Sequence, residues 1–380
     1  MFRLLGPLTG WPSRRHSVRG GVGPVDRMAE SPRSSDGFFL GSIIAKSLEV
    51  SIKQTFSYVL FLSTSTSLKS IMAITRVFVA GATGTQGGAL ARHLRAKNIE
   101  VHALARDIAS QKAQDLVSIG VKFWVGDFNN KSALTIAITG CDALFLNFMP
   151  DLTNLSAEEQ WAQSILDAGK EAGAQHVVFS SVYGVDQTDK MRWFDEKAAV
   201  AEIYASKHSI EKIVKASGYA TWTVLRPGYF MANCVQPFVQ FMLPGLAETG
   251  ELITALRSDT VLPLTDTKTI GLFSSAAIMQ PERFNGKTIS YLDELLTLSE
   301  FIERLSQAVG RELKITYLSD DEVEAQRETN PILGGQLVTR DMAQFANLDQ
   351  VKSLEVPLGT FEEYLKRERE AVNATYNKSS

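Results

Sequence analysis

Residues 75–92 read Thr-Arg-Val-Phe-Val-Ala-Gly-Ala-Thr-Gly-Thr-Gln-Gly-Gly-Ala-Leu-Ala-Arg, and the fold follows from them. Residues 77–80 are an apolar run the length of one buried strand. A glycine-rich turn follows, Gly81-Ala82-Thr83-Gly84-Thr85-Gln86-Gly87, after which Ala89, Leu90 and Leu94 recur at helical spacing. Strand, glycine turn and helix, in that order, are the setting in which such a loop binds a dinucleotide. Gly81 permits a sharp exit from the strand. Gly84, lacking Cβ, lets the backbone approach a diphosphate, and Gly87 lets the helix pack closely on the strand. Free N–H groups at the helix start, with the positive end of its dipole, favour a dianion there. The spacing is Gly-x-x-Gly-x-x-Gly, not Gly-x-Gly-x-x-Gly. The bland alternative is a turn that needs only positive φ, but three glycines with Thr83, Thr85 and Gln86 exceed that need.

Downstream, strands alternate with helical patterns. Strands are expected at 100–105, 121–125, 142–147, 176–181 and 221–227, with helices near 86–97, 107–119, 130–139, 156–173 and 195–217. That alternation predicts an α/β fold, a Rossmann-type doubly wound parallel sheet with its ligand at the C-terminal strand ends. The dinucleotide-binding domain is expected over 73–229. Residues 230–380 should form a smaller lobe whose sheet and helix elements interleave with that core, including a strand near 287–291 and helices near 299–310 and 360–371. Residues 1–72 look foreign to the rest, with Arg3, Arg14, Arg15 and Arg19 ahead of the first acid, Asp26. They read as a disordered extension or a misplaced start, since Met72 directly precedes the first strand; a mitochondrial presequence over 1–30 is the less favoured alternative.

Composition narrows the function classes. The 380 residues carry a net charge of −3, which does not predict a broad nucleic-acid footprint. Two cysteines, Cys141 and Cys234, argue against a disulfide scaffold and fit a reducing compartment, cytoplasmic or nuclear. The five histidines lack ligand spacing, so no metal site is expected. The best apolar run outside the core strands, 56–62, is too short to span a membrane.

Several residues fall where a dinucleotide would need them. Arg106, after the second strand, suits a 2′-phosphate and so favours NADP, with NAD also open; Asp107 beside it makes the reading less clean. Asp127 is placed for an adenine amino group or, equally, to cap the helix near Asn130. Asn147, Phe148 and Met149 end the fourth strand, where the nicotinamide ribose would lie, although core packing explains Phe148 and Met149 nearly as well. Ser180, Ser181 and Tyr183 end the fifth. Lys207 on the next helix is the candidate catalytic residue and ribose ligand. A short-chain dehydrogenase places a tyrosine four residues before its lysine. Ile203 stands there, and Tyr204 is about 100° away around the helix. Asp195, Glu196, Glu202, Lys197 and Lys207 together resemble a solvated helix face. Residues 229–233 are placed to close over a nicotinamide ring, or to be a loop shaped by Pro227-Gly228 alone. Phe230, Met231, Phe238, Phe241 and Met242 suggest a substrate pocket, a buried helix or a dimer face.

Together these residues resemble the NmrA-like family, an atypical branch of the short-chain dehydrogenases. The resemblance runs from about 74 to 371. It rests on the glycine motif at 81–88, Ala-Arg-Asp at 105–107, Gly-Asp-Phe at 126–128, Lys207-His208-x-x-Glu211, Leu-Arg-Pro-Gly-Tyr-Phe-Met at 225–231 and Leu-Gly-Thr-Phe-Glu-Glu-Tyr-Leu at 358–365. It implies NAD(P) held by Gly81, Ala82, Thr83, Gly84, Thr85, Gln86, Gly87, Arg106, Asp127, Phe128, Asn147, Phe148, Met149, Lys207, Tyr229, Phe230 and Asn233. It also implies one of two uses: a redox-sensing regulator that binds a protein partner such as a transcription factor, or an NADPH-dependent reductase of a small apolar carbonyl or enone. The absence of tyrosine at position 203 agrees with the first and does not exclude the second.

Overall fold

The computed structural model describes residues 73–377, apart from 152, 153 and 155; the expectations for residues 1–72 lie outside these. Six strands and five helices alternate first: β1 (Arg76–Val79), α1 (Thr85–Ala96), β2 (Glu100–Ala105), α2 (Gln111–Ser118), β3 (Lys122–Val125), α3 (Lys131–Ile138), β4 (Ala143–Leu146), α4 (Ala157–Glu171), β5 (His176–Ser180), α5 (Ala199–Ala216) and β6 (Thr221–Pro227). The later elements are β7 (Tyr229–Phe230), β8 (Glu251–Thr254), β9 (Val261–Thr265), α6 (Thr267–Met279), β10 (Lys287–Tyr291), β11 (Glu294–Thr297), α7 (Leu298–Val309), β12 (Lys314–Tyr317), α8 (Asp320–Gln326), α9 (Pro331–Met342), α10 (Phe361–Arg367) and α11 (Arg369–Tyr376), with shorter helical turns between them.

The central sheet has the order β10-β6-β5-β4-β1-β2-β3 and is parallel throughout. Chain direction across the sheet reverses between β1 and β4, the switch point at which open α/β sheets bind ligands. Period-two alternation sends Val77 and Val79 to one face and Phe78 and Ala80 to the other. The first face meets Leu90 and Leu94 of α1 and Ile270, Phe273 and Ala277 of α6. The second meets Leu134 of α3, Ile165 and Leu166 of α4 and Ile210 and Val214 of α5.

The later residues do two things. Some return to the central sheet: β10 extends it beside β6, and α6 packs on α1, where a Cβ at Gly271 would stand 3.0 Å from the backbone of Ala89. Others build a second core from Tyr229, Met231, Leu262, Leu296, Phe301, Leu305, Phe361 and Tyr364, around the small sheet β11-β9-β7. Gly228 is the pivot between the sheets. Its N–H donates to the Tyr291 carbonyl and to Thr265 Oγ1, and any Cβ would strike the Pro263 carbonyl, so no other residue fits. The closing helix expected near 360–371 is two helices, α10 and α11, which meet at Glu368. No helix of the described residues is long and apolar enough to cross a membrane.

Candidate functional site

The β1–α1 turn is built almost wholly of backbone. The Ala80 N–H donates to the Phe145 carbonyl at 2.9 Å, which holds the strand end in register with β4. Gly81 then takes φ +66°, a left-handed conformation that favours glycine. The Gly84 N–H closes the turn on the Gly81 carbonyl at 2.9 Å. A Cβ on Gly87 would lie 2.4 Å from that same carbonyl oxygen and 2.9 Å from Ala82 Cα, so the helix meets the loop at a distance only glycine allows.

Gly84 is the N-cap of α1, and it is exposed. No side chain caps the helix, and its first turn has no acid. The amides of Thr85, Gln86 and Gly87 therefore point out of the helix without an internal acceptor. The turn fits a diphosphate: it has donors, the positive dipole end and, among the described residues, no side chain capping them. Gln86 ties this turn to the neighbouring strand ends. Its Nε2 donates to Asn147 Oδ1 at 2.9 Å, and its Oε1 accepts from Ser180 Oγ at 2.7 Å.

The rim residues are exposed. Arg106 follows β2 and, among the described residues, makes no ion pair. Asp107 accepts from the Ala109 N–H at 2.8 Å, a local turn contact. Asp127 does not cap α3. Asn130 does, through its Oδ1 and the Ala133 N–H, while Asp127 accepts from the Asn129 N–H at 2.9 Å. Met149 is 67% exposed. Phe128 and Phe148 pack with Trp161 in an aromatic cluster that Phe179 extends, so their rings serve the core.

Lys207 is not on a solvated face. Its side chain is 7% exposed, and its ammonium donates to Glu158 Oε1 at 2.6 Å and to the Phe148 carbonyl at 3.0 Å. Glu158 lies in the first turn of α4 and also accepts from Ser206 Oγ at 3.0 Å. Burial pulls the Lys207 pKa below its ordinary value, and Glu158 opposes that pull. Asp195 is ion-paired with Arg327 at 2.9 Å, ahead of a helix that starts at Ala199. The Tyr204 hydroxyl is buried and donates to the Tyr183 carbonyl at 3.1 Å; burial pushes its pKa up. Neither feature suits a proton donor to a substrate. Sequence reasoning missed Glu158, because an acid in a helix's first turn reads as a dipole partner and its burial is set by α5 packing across it. It also missed the partners of Arg226. That guanidinium is bidentate to the fully buried Glu211 at 2.8 and 2.7 Å and meets Asp186 at 2.6 Å, locking the β5–α5 connection onto β6.

Residues 229–233 go mostly into the second core. Tyr229 is 6% exposed within it, and Met231, Ala232 and Asn233 are buried. The apolar set of the later segment is divided. Met231 is core, Met242 packs on the second core, Phe230 packs on the first, and Phe241 is 59% exposed. Phe238 is half-buried, and the set does not share one core cluster.

Known proteins share this fold. The structure of NmrA, a negative transcriptional regulator, in complex with NAD superposes with a TM-score of 0.62 at 20% identity, covering 80% of this chain and 98% of that one. The NADPH-dependent quinone oxidoreductase QOR2 of Escherichia coli, complexed with NADPH, gives 0.60 at 19% identity, over 77% and 99%. At these identities the likeness shows the fold. Among curated proteins, the NmrA-like family domain-containing oxidoreductase malD of Malbranchea aurantiaca is 28% identical over 258 residues, 64% of this chain and 75% of that protein. The NAD(P)H azoreductase of Xenophilus azovorans is 28% identical over 243 residues, 63% and 75%. The sequence profile of the NmrA-like family matches residues 74–365, and the chain therefore belongs to that family.

Proposed function

We propose that this chain binds a nicotinamide dinucleotide, NADP(H) ahead of NAD(H), on the β1–α1 turn. The uncapped first turn of α1 carries the reading. The amides of Thr85, Gln86 and Gly87 would hold the diphosphate, with Gly84 keeping the approach clear. Arg106 would meet the 2′-phosphate and Asp127 the adenine amino group. Asn147, braced by Gln86, would face the nicotinamide ribose together with Lys207. A bound dinucleotide supplies a transferable hydride. The chain's own residues supply binding, orientation and shielding. Solved neighbours that hold NAD, NADP or NADPH support this assignment.

Of the two uses of such a site, geometry favours a redox-sensing regulator. Ile203 stands at the place of the usual acid, and the Tyr204 hydroxyl beside it is buried and bound to the Tyr183 carbonyl. Such a regulator would carry a protein partner whose affinity changes with cofactor state, which requires unequal dinucleotide binding by two conformations. The second reading, an NADPH-dependent reductase of a small apolar carbonyl or enone, is favoured by the oxidoreductases among the relatives.

Calorimetric NADPH titration set beside NADPH consumption over enones, aldehydes, quinones and azo dyes separates the readings. Binding without consumption supports the regulator, turnover supports the reductase, and failure to bind any pyridine nucleotide refutes both. Arg106→Ala should weaken NADPH about tenfold while leaving NADH nearly unchanged; equal losses would remove its 2′-phosphate role.

A further inference from the structure

The Glu158 carboxylate is 2% exposed, held beside the end of β4 by Lys207, whose ammonium also reaches the Phe148 carbonyl. An acid in a first turn needs only solvent and the helix dipole. This one is instead turned inward, and both its oxygens are engaged: Oε1 by Lys207 Nζ, Oε2 by Ser206 Oγ. Lys207 in turn uses two of its three donors, on Glu158 and on the Phe148 carbonyl. The third N–H remains for whatever occupies the strand ends.

Other charges near Lys207 are committed elsewhere. Glu211, one turn further along α5, is bidentate to Arg226 and paired with Lys215. The end of β4 offers Lys207 a carbonyl and, 6.0 Å away, the Phe148 ring. Among the described residues, no acid other than Glu158 lies within ion-pair distance of Lys207.

We propose that Glu158 is a positioning residue of this site, acting through Lys207: it fixes the ammonium against the end of β4 and keeps it protonated, so that one N–H is presented to the dinucleotide ribose. The proposal rests on the dinucleotide reading above and adds to it the group that makes a buried lysine serviceable. Burial alone drives a lysine toward its neutral form, and a neutral amine has lost the charge that a ligand would feel. The pair has a geometric role as well, since Ser206 and the Phe148 carbonyl hold the two ends of the contact in place.

The test is the pH profile of NADPH affinity in the full chain, with Lys207 followed directly by NMR of lysines labelled at Cε and assigned with Lys207→Arg. In the native protein, affinity should stay level between about pH 7 and pH 9, above the 2′-phosphate's own ionisation, because Glu158 keeps Lys207 charged. In Glu158→Gln, affinity should hold at the acid end and fall about tenfold by the alkaline end, with the Lys207 signal titrating at lower pH than in the native protein. Glu158→Asp restores the charge but shortens the reach, so it should bind more weakly by a constant factor with the native pH profile. A Glu158→Gln profile parallel to the native one, or an unmoved Lys207 titration, would overturn the proposal. If Glu158→Gln does not fold, full native affinity in Glu158→Asp would overturn it instead. Should the native chain bind no NADPH, the dinucleotide reading fails, whereas the Lys207 titration still decides whether Glu158 sets its charge.

Discussion

Two helices lie against each other on one face of the central sheet and begin in opposite ways. α6 starts on Asp266, 1% exposed, whose carboxylate accepts from the Lys268 N–H at 2.9 Å and from Arg367 at 2.8 and 2.7 Å. Beside it, Asp293 accepts from Thr269 Oγ1 and from the amides of Asp266 and Gly359. α1 starts on Gly84, with no side chain on its amides and no acid in its first turn. The same backbone problem, orphan donors at a helix start, is solved internally in one case and left to an outside anion in the other. The sealed start is tied into the fold, and the open start is the one proposed above to hold the dinucleotide. Substitutions at the two should therefore separate stability from binding.

The largest effect should come where the open start leans on packing. In Gly87→Val the new side chain meets the Gly81 carbonyl and Ala82 Cα, backbone that cannot step aside. Stability in urea should fall by about 3 kcal/mol or more, with binding lost as a consequence; an unshifted midpoint would show that the turn is looser than described. Gly84→Val sharpens the contrast. Gly84 is exposed, has φ −91°, and its Cβ would stand 3.2 Å from the Gly81 carbonyl, so the fold should survive. NADPH affinity should drop about a hundredfold, roughly 2.7 kcal/mol, and retained affinity would move the diphosphate elsewhere.

At the sealed start the signs reverse. Arg367→Ala strips the buried Asp266 of its guanidinium and should cost about 2 kcal/mol of stability, the solvent at the half-exposed arginine moderating the loss, with NADPH affinity unchanged. The smallest effect belongs to Asp293. Burial, with Asp266 nearby, pushes its pKa up to about 6 despite three donors. A folded pKa above the ordinary value adds stability in acid that disappears as pH rises through about 6. Between about pH 7.5 and 5.5 the native protein should gain about 1 kcal/mol from this group, and Asp293→Asn should lose that gain in paired thermal scans. An identical pH dependence in the variant would refute the assignment.

The open start was the more legible of the two. Everything in it is local: the strand run, the left-handed Gly81 and the close approach at Gly87 all fall within residues 77–87, and the two glycines are demanded by backbone sterics. The parallel sheet followed from alternation alone. What stayed hidden was pairing across the chain. Lys207 looked solvated because its helix neighbours are charged, yet Glu158, far away in sequence, draws it inside. Asp127 and Asn130 both suit a helix cap, and only the backbone path into α3 chooses Asn130. Residues 229–233 read as a segment closing over the ring or as a loop shaped by Pro227-Gly228, and neither reading foresaw that β7 pairs with β9 and takes Tyr229 into another core.

One consequence of the strand order concerns synthesis. β10, drawn from residues 287–291, completes the central sheet beside β6. A nascent chain that has delivered only its first six strands therefore carries β6 as a bare margin of unpaired amides and carbonyls, open to any other extended segment. Truncated products ending near residue 229 should aggregate rather than survive as a working half, and the cell must wait for the later segment before the nucleotide-fold portion is safe from its own kind.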